Sequence, residues 1–257
     1  NEHKKGDIKI VKVDEDDNSI KLEGVEFDLI NKDGIVVSHL VTDSEGEAVA
    51  RGIDTGEYIL RETKTKEEYK ITAEQEVKIT WKNTLELTIE NIKKKGKINV
   101  IKVDKDNNEI KLQGIKFKVL DANENEIEIL ETDENGEAVT NDLPIGTYYV
   151  KETETDNRYI LNDEQIEVEV SEDSISEILI ENEKKKGQIK IVKTSEDKNN
   201  ILNLEKGSPI EGVKFNIYDE NNKFVEQIVT NKDGIAMSRK LEIGKYSVQE
   251  VETGKWY

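Results

Sequence analysis

Read with the two-residue period of a β-strand, this chain repeatedly places a polar side chain where the next core residue belongs. Side chains two apart share a face. Lys12 therefore falls on the face of Ile8 and Ile10, Lys102 on that of Ile98 and Val100, and Lys193 on that of Ile189 and Ile191. A later strand does the same with a carboxyl group: Tyr58-x-Leu60-x-Glu62, Tyr148-x-Val150-x-Glu152 and Tyr246-x-Val248-x-Glu250. A last strand does it with an amide, in Leu87-x-Ile89-x-Asn91 and Ile178-x-Ile180-x-Asn182. An amine, a carboxyl group and a carboxamide aimed at one core are the ingredients of a covalent amide cross-link.

These strands belong to a repeat. GDIKIVKVD begins at Gly6, GKINVIKVD at Gly96 and GQIKIVKTS at Gly187, spacings of 90 and 91 residues. A unit of that length is a domain, whereas solenoid repeats are much shorter. Three domains are expected, at 1–95, 96–186 and 187–257. Each continues through a polar turn to Leu-x-Gly-Val/Ile-x-Phe, here Leu22 to Phe27 and Leu112 to Phe117, with a longer insert before Ile210 to Phe215 in the third. Thr-Asp/Asn-x-x-Gly follows at Thr42, Thr132 and Thr230, and Gly-x-Tyr opens the glutamate strand at Gly56, Gly146 and Gly244. Short strands with a turn every eight to twelve residues predict a β-sandwich. No segment reads as a helix. The third copy stops seven residues after Glu250, so its last strand and its asparagine are missing from this chain.

Composition narrows the function. Charged residues make up 37% and apolar residues 34% of 257, with a net charge of -19. So polar a chain could be disordered, but its regular faces argue for thin, heavily charged sandwiches whose small cores need reinforcement. There is no cysteine, which removes disulfides, thiolate metal sites and an internal thioester. Strong acidity argues against nucleic-acid binding. No apolar run approaches a membrane span. Lys93-Lys94-Lys95 and Lys184-Lys185-Lys186 read as solvated linkers between domains, short enough for a fairly stiff rod.

Taken together, the first-strand lysine, Leu-x-Gly-x-x-Phe, Thr-Asp-x-x-Gly, Gly-x-Tyr-x-x-x-Glu-Thr and the terminal asparagine strand resemble the collagen-adhesin B-type (CnaB) domains of Gram-positive surface proteins and the related SpaA-type pilin domains. The resemblance covers nearly the whole chain, in two complete copies and one incomplete one. It implies tandem all-β, transthyretin-like (prealbumin-like) sandwiches. It also implies isopeptide bonds Lys12–Asn91 and Lys102–Asn182, promoted by Glu62 and Glu152. Lys193 and Glu250 would form no bond, having no asparagine. The chain departs from the family after the glutamate, where Ala-Pro is often found: here stand Glu62-Thr63-Lys64-Thr65 and Glu152-Thr153-Glu154-Thr155.

The chemistry follows from burial, which disfavours charge. A neutral amine is a nucleophile. A protonated glutamic acid can hydrogen-bond the carboxamide and shuttle protons as ammonia leaves. The reaction happens once per domain, so the chain is not expected to be an enzyme, and no cofactor or metal is called for. The alternative is a buried Lys–Glu ion pair capped by Asn with no bond formed, an arrangement often inferior to apolar packing.

Weaker signals read as structural. Asp14-x-Asp16-x-Asn18 and Asp104-x-Asp106-x-Asn108 mimic the start of an EF-hand loop, but Ser19 and Glu109 occupy the glycine position. Leu143 to Thr147 reads as a turn. His3 and His39 show no partner pattern, and Trp81 and Trp256 read as packing or strand-end residues. The expected role is the stalk of a cell-wall-anchored, extracellular adhesin or pilus-like protein, a monomeric rod projecting a binding tip. Its partner, a host extracellular-matrix or cell-surface protein, would be met through another part of the full-length chain. The rivals are a matrix-binding module, disfavoured by 5% aromatics, and a polymerising pilin subunit, disfavoured by the lack of a Tyr-Pro-Lys motif.

Overall fold

The structure, a computed structural model, describes residues 4–201 and 203–252. His3 and Trp256 lie outside them. All regular structure among the described residues is β-strand.

The first unit contains β1 (Lys5–Asp14), β2 (Glu26–Asn31), β3 (Val36–Val41), β4 (Glu47–Asp54), β5 (Gly56–Lys64), β6 (Gln75–Ile79) and β7 (Thr84–Asn91). One sheet has the order β4-β1-β7 and the other β3-β2-β5-β6. The first strand runs antiparallel to β4 but parallel to β7. Alternation does the rest. Ile8 and Ile10 from one sheet meet Phe27, Leu29 and Leu60 from the other in a single core. Their partners in sequence, such as Lys9 and Arg61, face outward.

The second unit repeats this with β8 (Lys95–Asp104), β9 (Lys116–Leu120), β10 (Glu126–Glu131), β11 (Glu137–Val139), β12 (Leu143–Pro144), β13 (Gly146–Glu154), β14 (Gln165–Val170) and β15 (Ile175–Asn182). Here β15 lies parallel to β8, and β10-β9-β13-β14 form the facing sheet. Leu143 to Thr147 is not simply a turn: Leu143 and Pro144 pair with Gly96 and Lys95, Leu143 is buried, and Gly146 opens β13.

The third unit contains β16 (Lys186–Gly187), β17 (Lys190–Val192), β18 (Lys214–Asp219), β19 (Phe224–Val229), β20 (Ile235–Met237), β21 (Leu241–Glu242) and β22 (Tyr246–Glu252). Among the described residues β17 pairs only with β20, and β22 only with β18. The strands that would flank them, equivalent to β6 and β7, do not occur there. Its core is correspondingly smaller, and Ile189 and Ile191 are only partly buried.

The lysine runs are linkers, but they are not freely solvated. After Asn91 the chain continues alongside residues 68–70: the Lys70 amide donates to the Ile92 carbonyl and the Lys94 amide to that of Glu68, each at 2.9 Å. This course sets Lys93 against Asp14 (2.8 Å), Lys95 against Asp16 (3.1 Å) and Lys94 near Glu172 of the next unit (3.7 Å). At the second junction Lys184 meets Asp104 and Glu242, and Lys186 meets Asp106. His39 also has partners: its Nδ1 lies 2.7 Å from Asp28 and its Nε2 3.6 Å from Glu26, across β2 and β3. Trp81 is an exposed strand-end residue with the Lys4 and Lys82 ammonium groups over its ring.

Candidate functional site

Lys12 and Asn91 come from neighbouring parallel strands of one sheet, and Glu62 reaches them across the core from the other. In the β1–β7 register Lys12 lies opposite Ile89, so Asn91 stands one same-face position further along. Glu62 sits beside Phe27 in the facing sheet. All three side chains are buried, Lys12 and Asn91 completely. Lys12 Nζ lies 3.1 Å from Glu62 Oε2 and 3.3 Å from the Glu90 carbonyl oxygen. Asn91 Nδ2 donates to Glu62 Oε1 at 2.7 Å. The carbonyl oxygen of that carboxamide, Oδ1, is buried without a hydrogen-bond partner.

In the second unit the triangle is closed. Lys102 Nζ lies 2.7 Å from Glu152 Oε2 and donates to Asn182 Oδ1 at 2.7 Å, while Asn182 Nδ2 donates to Glu152 Oε1 at 2.7 Å. In both units a phenylalanine ring, Phe27 or Phe117, walls off the amine at just under 6 Å. Burial pushes both amines below their ordinary value, against the pull of Glu62 and Glu152. One difference separates the two sites. The Thr72 amide and hydroxyl both donate to Glu62 Oε2; the equivalent residue, Asn162, donates instead to the Glu181 carbonyl.

The surrounding motifs hold the lysine's backbone. Gly46 has φ +69°, and a Cβ there would stand 2.5 Å from the Lys12 carbonyl oxygen. Gly136 and Gly234 stand equally close to Lys102 and Lys193. That contact is what the glycine of Thr-Asp/Asn-x-x-Gly provides. The Thr42 hydroxyl ties the same region down, accepting from the Val25 amide and donating to the Leu22 carbonyl.

Asp14 and Asp104 are structural anchors. Asp14 Oδ1 accepts from the amides of Asp16 and Asp17, and Oδ2 from the Tyr69 hydroxyl at 2.6 Å, with Lys93 beside it. Burial alone would raise this carboxyl; Lys93, Tyr69 and the Asp17 amide outweigh it and hold its pKa at about 2. Asp104 repeats the arrangement with Tyr159 and Lys184. The EF-hand-like spacing is thus the signature of a turn cap. In the third unit Lys193 is not alone: it pairs with Glu250 at 2.9 Å, but both side chains are about 30% exposed. No asparagine hydrogen-bonds either of them among the described residues.

Two packed β-sheets with a buried Lys–Glu–Asn triangle linking first and last strands define a prealbumin-like domain of the kind strung together in bacterial surface proteins. The chain belongs to the family described as the SpaA prealbumin-like fold domain, whose model matches residues 6–93, 96–184 and 187–257. It is similar to a solved structure of the Bacillus anthracis TIE protein, with a TM-score of 0.81 and 27% identity over 98% of this chain and 46% of that one. Among curated proteins, it is 33% identical over 86 residues to a collagen adhesin of Staphylococcus aureus, covering 31% of this chain and 7% of that protein. It is 38% identical over 50 residues to the trypsin-resistant surface T6 protein of Streptococcus pyogenes serotype M6, covering 20% of this chain and 9% of that protein. The chain thus spans under a tenth of either curated relative.

Proposed function

We propose that this chain is a load-bearing stalk segment of a Gram-positive surface adhesin or pilus-like protein, held outside the cell on the wall. Its first two domains carry self-formed isopeptide bonds, Lys12–Asn91 and Lys102–Asn182, promoted by Glu62 and Glu152. The observation that carries this reading is the fully buried triangle of Lys102, Glu152 and Asn182, each pair 2.7 Å apart. A buried ion pair is a poor way to stabilise a small core, whereas these three groups are reactants already in place.

The step balances within the triangle. The neutral amine attacks the asparagine Cγ, a C–N bond forms, and the Cγ–Nδ2 bond breaks. The glutamic acid gives its own proton from Oε1 to the departing nitrogen, which is released as ammonia, and is restored by taking the amine's proton at Oε2. Each glutamate stands with those two oxygens on those two partners. Lys193 and Glu250 remain an ion pair. Ligand binding belongs to another part of the full-length protein; a host matrix protein as the partner is supported by the similarity to a protein named collagen adhesin. The segment itself acts as a monomeric rod.

The test is the intact mass of the denatured chain. Two bonds lower it by about 34 Da, one ammonia each, and Glu62→Ala restores about half of that. An unaltered mass refutes the covalent reading and leaves a plain β-sandwich stalk.

A further inference from the structure

The nitrogen of each asparagine carboxamide has two hydrogens, and both are held. One goes to the glutamate. The other goes to a threonine hydroxyl: Asn91 Nδ2 donates to Thr65 Oγ1 at 2.6 Å, and Asn182 Nδ2 to Thr155 Oγ1 at 2.8 Å. These threonines stand three residues after Glu62 and Glu152, just beyond the ends of β5 and β13. They are partly buried although most of the loop around them is exposed. The third copy has Thr253 at the same offset from Glu250, outside the described residues.

We propose that Thr65 and Thr155 are positioning residues for cross-link formation. The proposal rests on the covalent reading above. A carboxamide can rotate by half a turn and exchange its oxygen and nitrogen. Two acceptors on the nitrogen side, glutamate Oε1 and threonine Oγ1, permit only one of the two orientations. The leaving nitrogen is then fixed against the proton-carrying glutamate and the carbonyl is turned toward the lysine, as Lys102 on Asn182 Oδ1 displays. The threonine takes no proton and forms no bond. It raises the fraction of time the reactants spend in the productive arrangement.

The experiment follows curing of the full chain made by cell-free synthesis. Samples are denatured at intervals and digested, and the joined peptides containing Lys12–Asn91 and Lys102–Asn182 are quantified by mass spectrometry. Thr65→Val keeps the shape but removes the acceptor. It is expected to slow the first bond on the order of 10-fold while leaving the second at its wild-type rate. Thr155→Val should do the reverse. Thr65→Ser, which keeps the hydroxyl, should restore the rate; a merely structural methyl would not be rescued this way. A Thr65→Val chain that cures at the wild-type rate, or a Thr65→Ser chain as slow as Thr65→Val, overturns the positioning role alone. Absence of either bond from the wild-type chain overturns the covalent reading, and this role with it.

Discussion

Replacing Glu152 by Gln should convert the second domain from one that cannot be unravelled into one that can. Gln keeps the shape of the side chain and a hydrogen-bonding group for Lys102, but it cannot relay the proton. Ala would be a blunter choice, because removing one partner of a buried pair costs about 3–5 kcal/mol. Lys102 and Asn182 are 80 residues apart. With the bond in place, tension entering along β8 crosses directly to β15 and leaves through the linker, and those residues stay slack. Without it, unfolding under load releases them as roughly 260–290 Å of extended chain. Single-molecule pulling on the whole chain reads this directly. The wild type should give one unfolding step, from the third domain. Glu152→Gln should give a second, and Glu62→Gln with Glu152→Gln a third. A wild-type trace with three steps, two of them of this full length, would refute the reasoning. In denaturant the same loop closure is worth about 4–5 kcal/mol per domain by the chain-entropy relation.

Two further outcomes test the scaffold. Gly136→Ala places a methyl group 2.5 Å from the Lys102 carbonyl oxygen at φ +71°; we expect a loss of about 1–3 kcal/mol, read from urea melts of a Glu152→Gln background. Asp14 has its carboxyl held at about 2 when folded against 3.8 when free, so it contributes stability above pH 4 that disappears as pH falls through 2. Asp14→Asn should cost about 2 kcal/mol at neutral pH, and the gap from wild type should close on acidification to pH 2.

The β-character and the buried Lys, Glu and Asn side chains were legible because a strand has a period of two and this chain keeps it through most of its core strands. Lys12 after Ile8 and Ile10, or Glu62 after Tyr58 and Leu60, stands out only because the alternation around it is regular. Where the period breaks, legibility ends. Thr65 follows a register shift between β2 and β5 at Glu26 and Phe27, so no alternation points it at Asn91. The sheet assignment was hidden too: that Lys12 and Asn91 are strand neighbours while Glu62 crosses the core depends on pairing between distant segments. The linker lysines looked solvated because their carboxylates are remote in sequence, Asp14 lying far from Lys93. Asp14 itself imitated a calcium ligand because a turn cap and an EF-hand both need a carboxylate followed by small polar residues.

The parallel pairing of β1 with β7, and of β8 with β15, has a consequence for architecture. A chain whose first and last strands run the same way arrives at one pole of the sandwich and departs from the opposite pole. Copies joined by three residues therefore line up head to tail instead of folding back. Each of the first two contributes about the length of its first strand, ten residues or roughly 33 Å, plus the linker. Reach thus becomes a quantity counted in copies: duplicating a ninety-residue unit moves whatever lies beyond it outward by a fixed increment, without any change to the domains on either side.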